Sequence, residues 1–174
     1  MLYFFGFLLL LLNFSIELAY GGTLNAIPDF LGYGLLLIAS TRDLRENAHF
    51  QRQRMATAIA LPLSVIEFVL ILLPLSLAPI LVLVVDVIMT LASLYIAYEF
   101  AEGAKELEKK RYQKFDADKI SAAWFILTMA SLLQYLAAYL PSVALPCLAV
   151  YLLSIVWFES AVFGFEKKRS QANS

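Results

Sequence analysis

Six runs of apolar residues divide this chain, at 2–20, 24–41, 55–77, 79–100, 120–140 and 143–165, and the polar residues gather in the gaps between them. Within each run the apolar positions are nearly continuous, so no period of 3.6 or 2 marks a helix or strand with one wet face. Runs of this length match the roughly 20 helical residues that cross a hydrocarbon core. Among open structures only a helix satisfies every backbone amide inside one such segment. The breaks carry Gly21 and Gly22, Pro74 and Pro79, and Pro141 and Pro146, residues that punctuate helices and form turns. The pattern predicts an all-α fold: a polytopic membrane protein of six transmembrane helices arranged as three helical hairpins, a single transmembrane domain over 1–174.

The charges sharpen this threading. All 13 Lys and Arg residues fall within 42–54, 101–119 or 166–174, which are alternate gaps and the tail. By the positive-inside rule these segments are cytoplasmic, which places both termini inside and leaves three short outer turns without a basic residue. Composition agrees, with 61% of the 174 residues hydrophobic and 16% charged, against about half and a quarter in soluble domains. The amino-terminal run lacks the positive flank of a secretory signal and reads as a span. Membrane location, not nucleic-acid binding, follows from the segregated charge, with the lipid bilayer as the first partner.

Enzyme chemistry finds little here. His49 is the single histidine and Cys147 the single cysteine, so neither a two-histidine zinc motif nor a disulfide or dithiol centre is available. No glycine-rich phosphate loop is present, and no cofactor or metal is expected. His49 reads as an ordinary residue of a cytoplasmic loop, and the segment 101–119 as a helical extension of the fourth run whose charges form a solvated face, with anionic lipid headgroups as the alternative contact.

Polar residues inside the runs need explaining. Glu67 lies seven residues before Pro74 and Asp86 seven after Pro79; at ~1.5 Å per residue both sit about 10 Å below the outer helix ends. Gln134 and Asn13 fall at the same level by the same count, with Glu17 one turn nearer the outside. No Lys, Arg or His lies in any run, so the carboxylates must be protonated, line a watery cavity or hold a cation. If Glu67 and Asp86 face each other, they titrate as a coupled pair. Two functional readings stand. One is a transporter or solute-binding membrane subunit whose outer-half pocket, built from Glu67, Asp86, Gln134, Asn13 and Glu17, takes a proton, a cation or a cationic solute. The other is a noncatalytic scaffold or regulatory partner of a larger membrane complex. Glu99, Glu102, Glu159 and Glu166 lie toward the cytoplasmic ends, Glu159 about a turn inside, and Tyr20, Trp124, Tyr139 and Trp157 read as interfacial anchors.

Two local patterns add detail. In IPDFLGYG, Pro28 and Asp29 suit a helix start, where a missing N–H costs nothing and an acid meets the positive end of the dipole. Asp29 is expected at the outer rim, with Gly32 and Gly34 admitting a close neighbour. The segments LPLSLAP at 73–79 and LPSVALP at 140–146 echo each other at an offset of 67 residues, with Glu67 and Gln134 equally far before the first proline.

Through Pro28, Asp29, Gly32 and Tyr33, the stretch IPDFLGYGLLLIASTRDL resembles a group of uncharacterised small integral membrane proteins of Gram-positive bacteria with a PDFxGY-type signature. The resemblance covers about the first 50 residues and implies a bacterial cytoplasmic membrane location, with no activity attached. Six helices in a small chain are also similar to substrate-binding subunits of energy-coupling-factor vitamin transporters. Those often carry an AxxxA docking pattern on the first helix, where this chain reads FFGFLLLLLNF.

Overall fold

The computed structural model describes residues 1–12, 15–17, 23–25, 28–72, 79–137 and 140–172. Within them the chain forms six helices: α1 (Leu2–Leu11), α2 (Asp29–Arg42), α3 (Ala48–Leu72), α4 (Pro79–Arg111), α5 (Ala117–Ala137) and α6 (Pro141–Ala172). A short antiparallel pair, β1 (Ser15–Glu17) and β2 (Thr23–Asn25), joins α1 to α2, with Ile16 opposite Leu24.

This pair corrects the first expected span. The run 2–20 was read as one helix, but α1 ends at Leu11 and Glu17 belongs to a strand. The physical reason lies in the sequence NFSIELAYGGTLNA: Asn and Ser offer the backbone competing hydrogen bonds, and a Gly-Gly between two short segments favours a hairpin. Among the described residues, Val84–Arg111 and Ser142–Ala172 are the two stretches long and apolar enough to cross a membrane, while α1 is a shorter apolar helix.

The prolines act less symmetrically than their spacing suggests. Pro79 opens α4 and Pro141 opens α6, but Pro146 lies inside α6 and Pro62 inside α3. The helix therefore starts at the second proline of one echoed segment and at the first proline of the other. The sequence echo is not matched by equivalent helix starts.

Helix α1 is apolar along its length and turns one face, Tyr3, Gly6, Phe7, Leu10 and Leu11, into the bundle while Phe5 stays exposed. Tyr3 packs on Phe50 of α3 and Phe100 of α4 at centroid distances of 6.1 and 4.5 Å. Phe7 meets Phe100 at 5.4 Å and Phe158 of α6 at 5.2 Å. Against α2 the approach is closer still: a Cβ on Gly32 would stand 2.8 Å from the Gly6 carbonyl oxygen and 2.9 Å from the Leu10 nitrogen. Gly34 has nothing within 4 Å of such a Cβ, so the expected packing role belongs to Gly32 and not to Gly34.

Around this core the outward faces of α3 to α6 are apolar. Ile59, Leu63 and Ile66 on α3, Ile88 and Leu91 on α4, Phe125 and Leu132 on α5, and Leu145, Leu153 and Val156 on α6 are all exposed. Water-facing surfaces of monomeric soluble proteins rarely show so broad an apolar patch. Trp124, expected as an interfacial anchor, donates its indole N–H to the Leu94 carbonyl at 2.9 Å and ties α5 to α4.

Ion pairs and caps close the end of the bundle that carries the basic loops. Arg169 holds Asp43 through two hydrogen bonds of 2.5 and 2.6 Å, and Arg111 reaches Glu46 at 2.6 Å. Lys168 and Lys119 both bind Asp116, while Glu108 accepts the backbone N–H groups of Phe115 and Ala117 at the start of α5. His49, read as an ordinary loop residue, places Nδ1 2.7 Å from Oε2 of the buried Glu99. A lone histidine in a polar loop gives no sign in one dimension of the carboxylate that α4 brings to it.

Candidate functional site

Polar side chains from α2 to α6 converge on one cavity of about 70 Å³, closed on one side by Leu10 and Leu11 of α1. Asp29 enters from the first turn of α2, Glu67 from α3 and Asp86 from α4. Thr90 and Ser93 follow Asp86 at four and seven residues, one stripe of α4, and Ser131 and Tyr151 complete the polar lining from α5 and α6. Helical spacing alone makes that α4 stripe; its continuity with Asp86 was a legible signal that counting depths along the chain did not use.

Each carboxylate has a different setting. Asp86 is exposed and accepts the phenolic proton of Tyr135 at 2.9 Å, with Thr90 Oγ1 2.8 Å from the same phenol oxygen. Glu67 is half-buried. Asp29 has a buried Oδ1 without a hydrogen-bond partner, and the charges it feels are those of Glu67 and Asp86. Tyr33, fully buried on α2, joins Ser93 at 2.9 Å and so fastens the wall between α2 and α4. Phe30 packs on Phe68 at 5.5 Å, which sets α2 beside the turn of α3 that carries Glu67.

The expected pocket and the observed cavity overlap in part. Glu67 and Asp86 line it together. Gln134 does not line it, because matching depth along two helices says nothing about which way each helix turns a side chain. Asn13 lies outside the described residues, and Glu17 sits in β1 rather than one helical turn above it. Asp29, expected at the outer rim, lines the cavity from the first turn of α2, of which Pro28 is the N-cap.

Size and chemistry limit the occupant. A site for a drug-sized organic ligand takes about 300 Å³ or more, whereas this cavity holds a few waters or one small ion. Among the described residues no group of three His, Cys, Asp or Glu side chains is disposed to hold a metal ion. Three acids around a low-dielectric space repel one another unless a proton or cation is taken up.

Among the described residues, Tyr3, Gln53, Ser121 and Glu159 also have buried side-chain polar atoms without a hydrogen-bond partner. Gln53 is fully buried in α3 with both amide atoms unpaired, and Glu159 is 4% exposed in α6 with both carboxylate oxygens unpaired. The phase of Phe50, Gln53 and Thr57, all buried, places Gln53 on the inner face, a reading masked in the sequence by its polar neighbours in the basic loop.

No known protein family, no curated protein and no solved structure gives a significant match to this chain.

Proposed function

We propose that this chain is a six-pass membrane protein with both termini cytoplasmic, and that it works as a small transporter or ion-binding membrane subunit. Its acidic cavity takes up a proton or a small monovalent cation from the outer side. The observation that carries this reading is the convergence of Asp29, Glu67 and Asp86, from three helices, on one cavity with no basic residue in any apolar run. Intramembrane carboxylates are costly and mark ion or proton pathways. The exposed apolar faces of α3 to α6 support immersion in lipid, and the basic segments support the orientation. The small volume favours a proton or bare ion over a cationic organic solute.

The scaffold reading has less to draw on. Lys110 and Arg111, which a cytoplasmic partner would engage, already bond Glu46, Lys110 through its carbonyl at 2.8 Å while staying exposed and Arg111 through its carboxylate at 2.6 Å. The deciding experiment is a flux assay in proteoliposomes with imposed pH and monovalent-cation gradients. Glu67→Gln and Asp86→Asn abolish flux on the transport reading, while neutralising Lys109, Lys110 and Arg111 leaves it intact. Full flux in both acid variants overturns the reading.

A further inference from the structure

Glu159 is the carboxylate that neither the acidic cavity nor the ion pairs at the basic end absorb. Only 4% of its surface is exposed and neither oxygen has a hydrogen-bond partner. The seam between α1 and α6 runs past it, with Phe7 against Phe158 at 5.2 Å and Phe4 against Phe163 at 5.4 Å between ring centroids. Two turns along the same face, Glu166 shows what a structural acid looks like here: it accepts the N–H groups of Tyr3 and Phe4 at 3.2 and 3.1 Å, capping α1. Glu159 caps nothing. An apolar side chain would fill its place without the cost of burying an unpaired acid.

Its position is between two cavities. Tyr151, eight residues earlier on α6, lines the acidic cavity; Glu166 and Arg169, seven and ten residues later, line a second one of about 270 Å³ at the basic end, with Tyr3, Arg42 and Asp43. At ~1.5 Å per residue Glu159 lies about 12 Å from one and 10 Å from the other along the axis. Glu159 is in the lining of neither cavity, and 4% of its surface is exposed.

We propose that Glu159 is an occluded proton-binding site through which the two cavities exchange protons one side at a time. The carboxylate takes one proton from water admitted from one cavity, is held as the neutral acid in the α1–α6 seam, and returns that proton to water on the other side. Only O–H bonds form and break, and the side chain carries no charge while enclosed. Of the groups around it, Glu166 is the charge it feels. From α1 the only titratable side chain is Tyr3, beside the Met1 amine, and α5 brings Asp118 and Lys119 near its first turn and Tyr135 in its far half. The cations nearest along the seam, the Met1 amine and Arg169, are already paired with Glu166 and Asp43. The inference rests on the transport reading for the source of the proton, and on the burial of Glu159 alone for the site.

The test uses the full chain in proteoliposomes, with Glu159→Gln as the neutral isostere and Glu159→Asp as a second variant that keeps the acid. Infrared difference spectra between alkaline and acidic buffer report the protonated carboxyl, and an entrapped pH dye reports flux. The expected result is a pH-dependent carboxyl band that vanishes in Glu159→Gln, at least a tenfold loss of proton flux in that variant, and partial flux in Glu159→Asp. If Glu67→Gln and Asp86→Asn are silent while these effects persist, the acidic-cavity reading fails and the Glu159 site stands. A carboxyl band that does not change with pH, together with wild-type flux in Glu159→Gln, marks a fixed structural acid and overturns the proposal.

Discussion

Tyr135 donates its phenolic proton to Asp86 Oδ2 at 2.9 Å, and Thr90 completes the chain at 2.8 Å from the phenol oxygen. Helix α5 thereby orients the most exposed acid of the cavity from outside its own helix. A hydrogen bond to a charged group is worth about 1.5–3 kcal/mol, the lower figure suiting an exposed acceptor. Tyr135→Phe is expected to lower flux about tenfold, since ~1.4 kcal/mol is a factor of ten, without altering the melting temperature by more than a degree or two. Unchanged flux would mean that Asp86 needs no orientation.

The two glycines of the Gly32-Tyr33-Gly34 stretch should answer differently to alanine. At Gly32 the new Cβ meets backbone atoms at 2.8 and 2.9 Å, which no side-chain rotation relieves. Gly32→Ala must push α1 from α2, at a cost of about 1–3 kcal/mol typical of overpacking. Gly34 faces open space, and Gly34→Ala should be neutral or stabilise the helix by up to about 1 kcal/mol. Thermal melting of the two variants in one detergent separates them.

Acid should loosen the basic end in a defined window. The hydrogen bonds from Lys168, then Lys119, hold the Asp116 carboxyl down to about 2, below the ordinary value of about 3.9. A depressed folded-state value means the contribution is complete above the unfolded value and is lost as pH falls from there toward the folded one. Melting temperature should therefore decline between about pH 4 and 2, and Asp116→Asn should flatten that part of the decline. The effect is modest, because the pair is open to solvent and screened by salt.

Within the fold, the residues that were legible are those whose meaning is local. The alternation of apolar runs and basic segments marks six helices, and Pro79 and Pro141 open α4 and α6 where a first-turn proline belongs. The absence of Lys, Arg and His from the runs already said that a basic partner for an acid there must come from outside the runs, as His49 does for Glu99. The end of α1 at Leu11 was readable in principle from Asn13, Ser15 and the Gly21-Gly22 pair, but an unbroken apolar run masks it.

Spacing along a helix is a property of the chain, and so the sequence by itself determined that Glu67 and Asp86 stand equally far from the prolines of one turn, that acids interrupt the runs, and which segments are apolar throughout. Direction around a helix is not such a property when nearly every neighbour is apolar, because a run without polar stripes carries no phase. Only packing decided that Asp29 joins Glu67 and Asp86 while Gln134 stays out of the cavity, that His49 meets Glu99, and that Glu159 is sealed in the seam beside α1. Those outcomes depend on how closely α2 can approach α1 at Gly32 and on which ring stacks against which at Phe7 and Phe158, and contacts between distant segments exist only once the helices are assembled.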